Sequence, residues 1–133
     1  MSDTKTTFHE VLKQIITFRD ERNWKKYHHP RKLATSITLE AAELLEHFQW
    51  DDDQKISELK KDKEKFEEMK SELADIMIYA FEFADSLGID ISEAMLEKLE
   101  KVKLKFPVEQ FKDVRSDLGV YRQIKAKYRQ KSR

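Results

Sequence analysis

Glu40-Ala-Ala-Glu43 and Glu72-Leu-Ala-Asp75 are two acid pairs of identical spacing on separate apolar-periodic segments. Residues three apart are neighbours on one helix face, so each pair presents two carboxylates on the same side. Four such groups converging from two helices supply only hard oxygen donors, a set that suits Mg²⁺ or Mn²⁺ better than zinc or copper. Uncompensated, that much like charge beside a core raises carboxylate pKa values and weakens the fold; a bound divalent cation relieves both effects.

The segments that must position these acids have matching phase. With Glu40 as origin and about 100° per residue, Leu33, Ile37, Ala41, Leu44, Leu45 and Phe48 fill an arc from about 20° to about 140°. With Glu72 as origin, Met69, Leu73, Ile76, Met77, Ala80 and Phe83 fill about the same arc. Each acid pair therefore borders its own apolar stripe in the same way, and packing the stripes together brings four carboxylates to one rim of the seam. Glu82-Phe-Ala-Asp85 repeats the spacing on the far side from the apolar arc, which predicts a solvent-facing pair. In a chain with 39% charged residues one acid pair is ordinary surface, so matching phase is what distinguishes the other two.

Composition bounds what surrounds them. A chain of 133 residues with two Gly and two Pro predicts one all-α domain with a single core. Twenty-six basic residues balance twenty-six acidic ones, which argues against a nucleic-acid coat. With no cysteine, disulfides and thiolate ligands are excluded. No signal-type apolar segment follows Met1-Ser-Asp-Thr-Lys5 and no run of eighteen apolar residues occurs, so the expectation is a soluble, cytoplasmic protein with no membrane partner.

Along the chain, Thr7 and Glu10 form a capping box for a helix to about Arg22. Asn23 to Pro30 reads as an aromatic, histidine-rich loop, and Pro30 starts a second helix that carries the first acid pair and stops near Trp50. Asp51-Asp52-Asp53 opens a charged connector, a short helical piece or a flexible bridge. A long helix from about Asp62 to Leu87 carries the second pair and is capped by Gly88; Asp90 and Glu93 cap a fourth, ending near Phe106-Pro107. Short connections make this an antiparallel four-helix bundle. From Arg115 to Arg133 there are seven Lys or Arg against one Asp, with Tyr121, Ile124 and Tyr128 at helical spacing. This stretch is either a weakly amphipathic helix docked on a neighbouring subunit or a solvated basic tail.

Trp24-Lys-Lys-Tyr-His28-His-Pro-Arg, Glu40-Ala-Ala-Glu-Leu-Leu-Glu-His-Phe-Gln-Trp50, Glu72-Leu-Ala-Asp-Ile-Met-Ile-Tyr79 and the late Lys-Phe-Pro-Val-Glu motif together resemble the MazG-like nucleotide pyrophosphohydrolases, most nearly the dCTP-pyrophosphatase-type branch. The likeness runs in order from about residue 8 to about residue 110. It implies an all-α nucleoside triphosphate pyrophosphatase fold, with residues 1–110 as the catalytic domain and 111–133 as a basic C-terminal extension. It also implies Mg²⁺ held by Glu40, Glu43, Glu72 and Asp75. The reaction implied is cleavage of a nucleoside triphosphate, dCTP or a modified or noncanonical dNTP, to the monophosphate and pyrophosphate. On that reading the same acids would also hold a second metal ion to activate the attacking water, or one carboxylate would take the water's proton, Glu43 before Glu40.

By the same resemblance Trp24, His28 and Trp50 form a base pocket with Tyr79 near the acid rim, and Lys98 and Lys103 meet the phosphates. Val102 and Lys32 depart from the family pattern, each standing where an asparagine is usual. The implied assembly is a homodimer or homotetramer with pockets near subunit contacts. Two other functions compete. A di-iron carboxylate bundle needs Glu-x-x-His, and no Glu stands three residues before any of the four histidines. A non-enzymatic helical module that uses the basic tail on nucleic acid or a protein partner predicts salt-sensitive binding that survives Glu43→Ala.

Overall fold

A computed structural model describes residues 2–50, 55–112 and 117–131, and among these all regular structure is helical. The order is α1 (Phe8–Glu21), α2 (Pro30–Glu46), α3 (Ile56–Leu59), α4 (Lys63–Leu87), α5 (Ile91–Lys105) and α6 (Asp117–Lys131). The Asp51-Asp52-Asp53 connector lies outside the described residues. Contacts divide the chain between Ile91 and Ser92 into two compact units.

In the first unit, local chemistry sets each helix end. The Thr7 hydroxyl accepts from the Glu10 N–H at 3.2 Å, and the Thr7 N–H donates to Glu10 Oε2 at 2.7 Å. Such a reciprocal cap stabilises a helix start by about 1 kcal/mol. Beyond Arg22 the chain reverses through Asn23, whose φ of 55° is left-handed backbone that asparagine tolerates better than most residues. Part of the expected loop is a 3₁₀ turn, Lys25–Tyr27. At the start of α2, His29 Nδ1 accepts from the Arg31 N–H, and Pro30 occupies the first turn, where its missing N–H costs nothing. Asp62 caps α4, and Gly88, at φ 66°, ends it.

Helices α2 and α4 are the principal packed pair, and α1 lies against α4. The α2–α4 pair is antiparallel: His47 meets Glu68, Glu43 meets Glu72, and Ser36 meets Tyr79, so residue numbers rise on one helix as they fall on the other. Phe8 of α1 packs edge-on against Phe81 of α4, with ring centroids 5.5 Å apart.

The core of a single chain is thin. Among the described residues Leu33, Phe81 and Ala84 are the buried apolar ones, whereas Leu45 and Leu73, both within the predicted apolar stripes, are 67% and 54% exposed. Among the described residues the stripes are thus only partly covered, contrary to the single closed core that their periodicity predicts.

In the second unit, α5 ends at Lys105, and a 3₁₀ turn (Val108–Phe111) leads towards α6. Tyr121 stacks on Phe106 at 5.2 Å, and Lys105 Nζ lies 4.7 Å from the Tyr128 ring centroid. The basic C-terminal stretch is therefore helical over 117–131, with Tyr121 against Phe106 of its own chain, while most of its described residues remain exposed. Among the described residues no helix is long and apolar enough to cross a membrane.

Candidate metal centre

One face of α2 carries Ser36, Glu40, Glu43 and His47, and one face of α4 carries Glu68, Glu72, Asp75 and Tyr79, each set within about 60° around its helix. Antiparallel packing lays these two polar stripes side by side along the rim of the apolar seam. At their centre, one carboxylate oxygen from each of Glu40, Glu43 and Glu72 lies within 4.8 Å of the others. Asp75 falls outside this tightest group, yet its charge acts on Glu40, Glu72 and Tyr79.

The electrostatics are those of crowded like charge. Desolvation, and then the neighbouring Glu43 and Asp75, push the Glu40 carboxyl above the ordinary carboxylate range, against a lowering hydrogen bond with Glu72. Glu72 is pushed up as well, by desolvation first and then by Glu43, Glu40 and Asp75. Three oxygen donors from two helices, with carboxylates resisting ionisation in each other's presence, fit a small hard divalent cation, which needs few protein ligands and keeps room for water and phosphate oxygens.

The family model for the MazG-like family matches residues 35–119, which span both acid pairs. The chain belongs to the MazG-like family. Among solved structures, a pyrophosphatase from Archaeoglobus fulgidus is 38% identical, with a TM-score of 0.67 over 80% of this chain and 98% of that one. The dCTP pyrophosphatase 1 of Bos taurus is 29% identical over 105 residues, 79% of this chain and 62% of the relative. The Homo sapiens protein of that name is 28% identical over 101 residues, 76% of this chain and 59% of the relative. The chain thus spans less than two thirds of the length of these mammalian relatives.

The other sequence-predicted positions fall on several elements of this MazG-like chain. The Tyr79 hydroxyl hydrogen-bonds Ser36 and is pushed up by burial first and then by Glu40, Glu82 and Asp75, which puts it at the edge of the acid centre. Trp24 packs edge-on against Phe18 at 5.7 Å, with the Arg22 guanidinium over both rings, and is 44% exposed. Trp50, after the end of α2, is 88% exposed. Lys98 and Lys103 lie on α5 in the second unit, where Lys103 pairs with Glu100.

Glu82 and Asp85 overturn the expectation of a solvent-facing pair. Glu82 is 4% exposed, and its Oε2 lies 3.5 Å from His28 Nδ1. Asp85 Oδ2 accepts from Arg19 Nη1 at 2.7 Å, while Arg19 Nε donates to Asp20 Oδ1 at 2.8 Å. The reason is that α4 is covered on two sides: α2 takes the apolar stripe, and α1 and the loop after it take the face bearing Glu82 and Asp85. Arg19, only 3% exposed, was not singled out by sequence reasoning, nor was Ser36. A basic residue on α1 in register with an acid on the second face of α4 was the available signal.

Proposed function

We propose that this MazG-like chain is a divalent-metal-dependent nucleoside triphosphate pyrophosphohydrolase. Water adds across the bridge between the α and β phosphates, giving a nucleoside monophosphate and pyrophosphate. The convergence of Glu40, Glu43 and Glu72 within 4.8 Å carries this reading, and the family membership supports it. Glu40, Glu43, Glu72 and Asp75 would hold Mg²⁺, with Mn²⁺ as a substitute. When bound, the metal neutralises phosphate charge and lowers the pKa of coordinated water. Glu43 is the residue assigned to take the proton from the attacking water, with Glu40 next. Trp24, His28, Trp50 and Tyr79 are assigned to the nucleoside, and Lys98 and Lys103 to the polyphosphate.

The first substrate candidate is dCTP, on the likeness to relatives named dCTP pyrophosphatase 1; modified or noncanonical dNTPs come second. Residues 1–110 are taken as the catalytic region and 111–133 as an accessory extension. A homodimer or homotetramer is proposed because Leu45 and Leu73 leave apolar area open beside the site. The cytoplasm, where nucleotide pools are held, is the proposed location.

The test is a panel of canonical and modified dNTPs with Mg²⁺ and identification of the products. Monophosphate plus pyrophosphate, abolished by Glu43→Ala or Asp75→Ala, is expected. Orthophosphate with a diphosphate left behind would refute the assigned bond. Salt-sensitive nucleic-acid binding that survives Glu43→Ala, with no hydrolysis, would instead identify a binding module.

A further inference from the structure

Glu82 is the most deeply buried acid that the proposed chemistry leaves unused. Its Oε2 and His28 Nδ1 are both buried and neither has a hydrogen-bond partner among the described residues; the contact each makes is with the other, at 3.5 Å. A buried carboxylate left this way is costly unless a proton or cation is shared with it. Glu82 stands where the metal centre's stripe on α4 meets the face covered by α1 and the loop after it: with Glu72 as origin, Asp75, Tyr79 and Glu82 lie at about −60°, −20° and −80°. From Glu72 to Glu82 this stripe runs about 15 Å along α4, in the range of an extended nucleoside triphosphate. Phosphates held at the acid end would therefore place the nucleoside at the His28 end.

We propose that Glu82 is a positioning residue that holds the His28 imidazole as its Nδ1–H tautomer, so that Nε2 is presented as a hydrogen-bond acceptor to an N–H or O–H donor of the nucleoside. This rests on the nucleotide reading of the site. A carboxylate on one ring nitrogen sets both the proton position and the orientation of the other, and an imidazole without it samples both tautomers and a wider range of ring angles. Arg19 and Asp85, the other charged groups near Glu82, are already engaged with each other at 2.7 Å, so His28 is the group left for Glu82 to order.

The experiment uses the whole protein. ¹⁵N NMR of the His28 ring at mildly alkaline pH should report a protonated Nδ1 and an unprotonated Nε2 in the nucleotide-free wild type. In Glu82→Leu, an apolar replacement of similar size, that pattern should give way to a tautomer mixture. KM for dCTP should rise about tenfold, the size expected for one lost hydrogen bond, with kcat changing much less. Glu82→Gln, which keeps an acceptor oxygen, should restore both the ring pattern and KM. Comparing dCTP with dUTP and with 2′,3′-dideoxy-CTP locates the donor: the variant penalty should shrink for whichever analogue lacks the group that Nε2 accepts. An Nε2–H tautomer in the wild type overturns the proposal, as does a KM unchanged in Glu82→Leu while His28→Ala raises it. If His28→Ala leaves KM unchanged, it is instead the nucleotide role of His28 that fails, and the NMR result separates that failure from an absent pair.

Discussion

Removing the Asp85 carboxylate should destabilise the protein far more than removing Asp20, although both contact the same guanidinium. Arg19 is 3% exposed and donates to Asp85 at 2.7 Å and to Asp20 at 2.8 Å, but Asp85 is 26% exposed and Asp20 51%. Breaking a buried pair costs about 3–5 kcal/mol because the surviving charge is left without compensation. Asp20 remains on Nε, so a value of about 2–3 kcal/mol is expected for Asp85→Leu. The half-exposed Asp20 is screened by solvent, and Asp20→Ala should move the urea midpoint far less than Asp85→Leu does. With an unfolding entropy of about 2.1 cal/mol/K per residue, the Asp85→Leu loss lowers Tm by about 7–11 °C in a chain of this length. Urea denaturation followed by far-UV circular dichroism, at fixed protomer concentration and with chelator present, should show a lower midpoint at unchanged slope. Arg19→Met combined with Asp85→Leu should recover most of the loss, since an apolar pair replaces a buried ion pair at little cost. An Asp85→Leu midpoint equal to wild type, or a double variant as weak as the single one, would refute the view that α1 is tied to α4 by this charge pair.

Burial holds the Glu82 carboxyl above its ordinary 4.5, with His28 and Arg19 opposing and Asp85 reinforcing. The native state then keeps a proton that the unfolded chain has released, so this contribution is present below pH 4.5 and is lost as pH rises through the raised native value. Glu82→Gln should flatten that decline and gain stability at neutral pH; an unaltered pH–stability curve would contradict it. Because Glu40 and Glu72 are also held above the ordinary range, protons should compete with a bound metal increasingly as pH falls. Calorimetry in buffers of differing ionisation heat should show proton release growing, and Mg²⁺ affinity falling, as pH drops from about 7 towards about 5. If the proposed oligomer forms through this face, Leu45→Glu with Leu73→Glu should give a monomer in sedimentation equilibrium, and a mass equal to wild type would remove this face from the interface.

Much of the arrangement was legible in the residues. Thr7, Asp62 and Gly88 mark helix ends by local hydrogen bonding and backbone preference, which operate whatever the tertiary context. The meeting of Glu40, Glu43 and Glu72 was legible because phase relative to an apolar stripe survives packing. The same arithmetic places Glu82 within about 20° of Asp75, and treating it as solvent-facing overlooked that a 25-residue helix can be covered on more than one side. Arg19 was missed for a related reason: a long cationic side chain scores as surface until its partner on another helix is known. The openness of Leu45 and Leu73 was not readable either, since periodicity marks a face for burial without saying whether the same chain or another copy covers it.

In the proposed function Glu40, Glu43 and Glu72 act together on one divalent cation. Isothermal titration of Mg²⁺ into the whole protein with a non-hydrolysable nucleotide triphosphate, repeated for Glu40→Gln, Glu43→Gln and Glu72→Gln, tests it most directly. Saturable uptake in the wild type that is lost or weakened at least tenfold, about 1.4 kcal/mol, in every variant is the predicted result. Absence of uptake in the wild type, or uptake that all three variants retain at full strength, would contradict it.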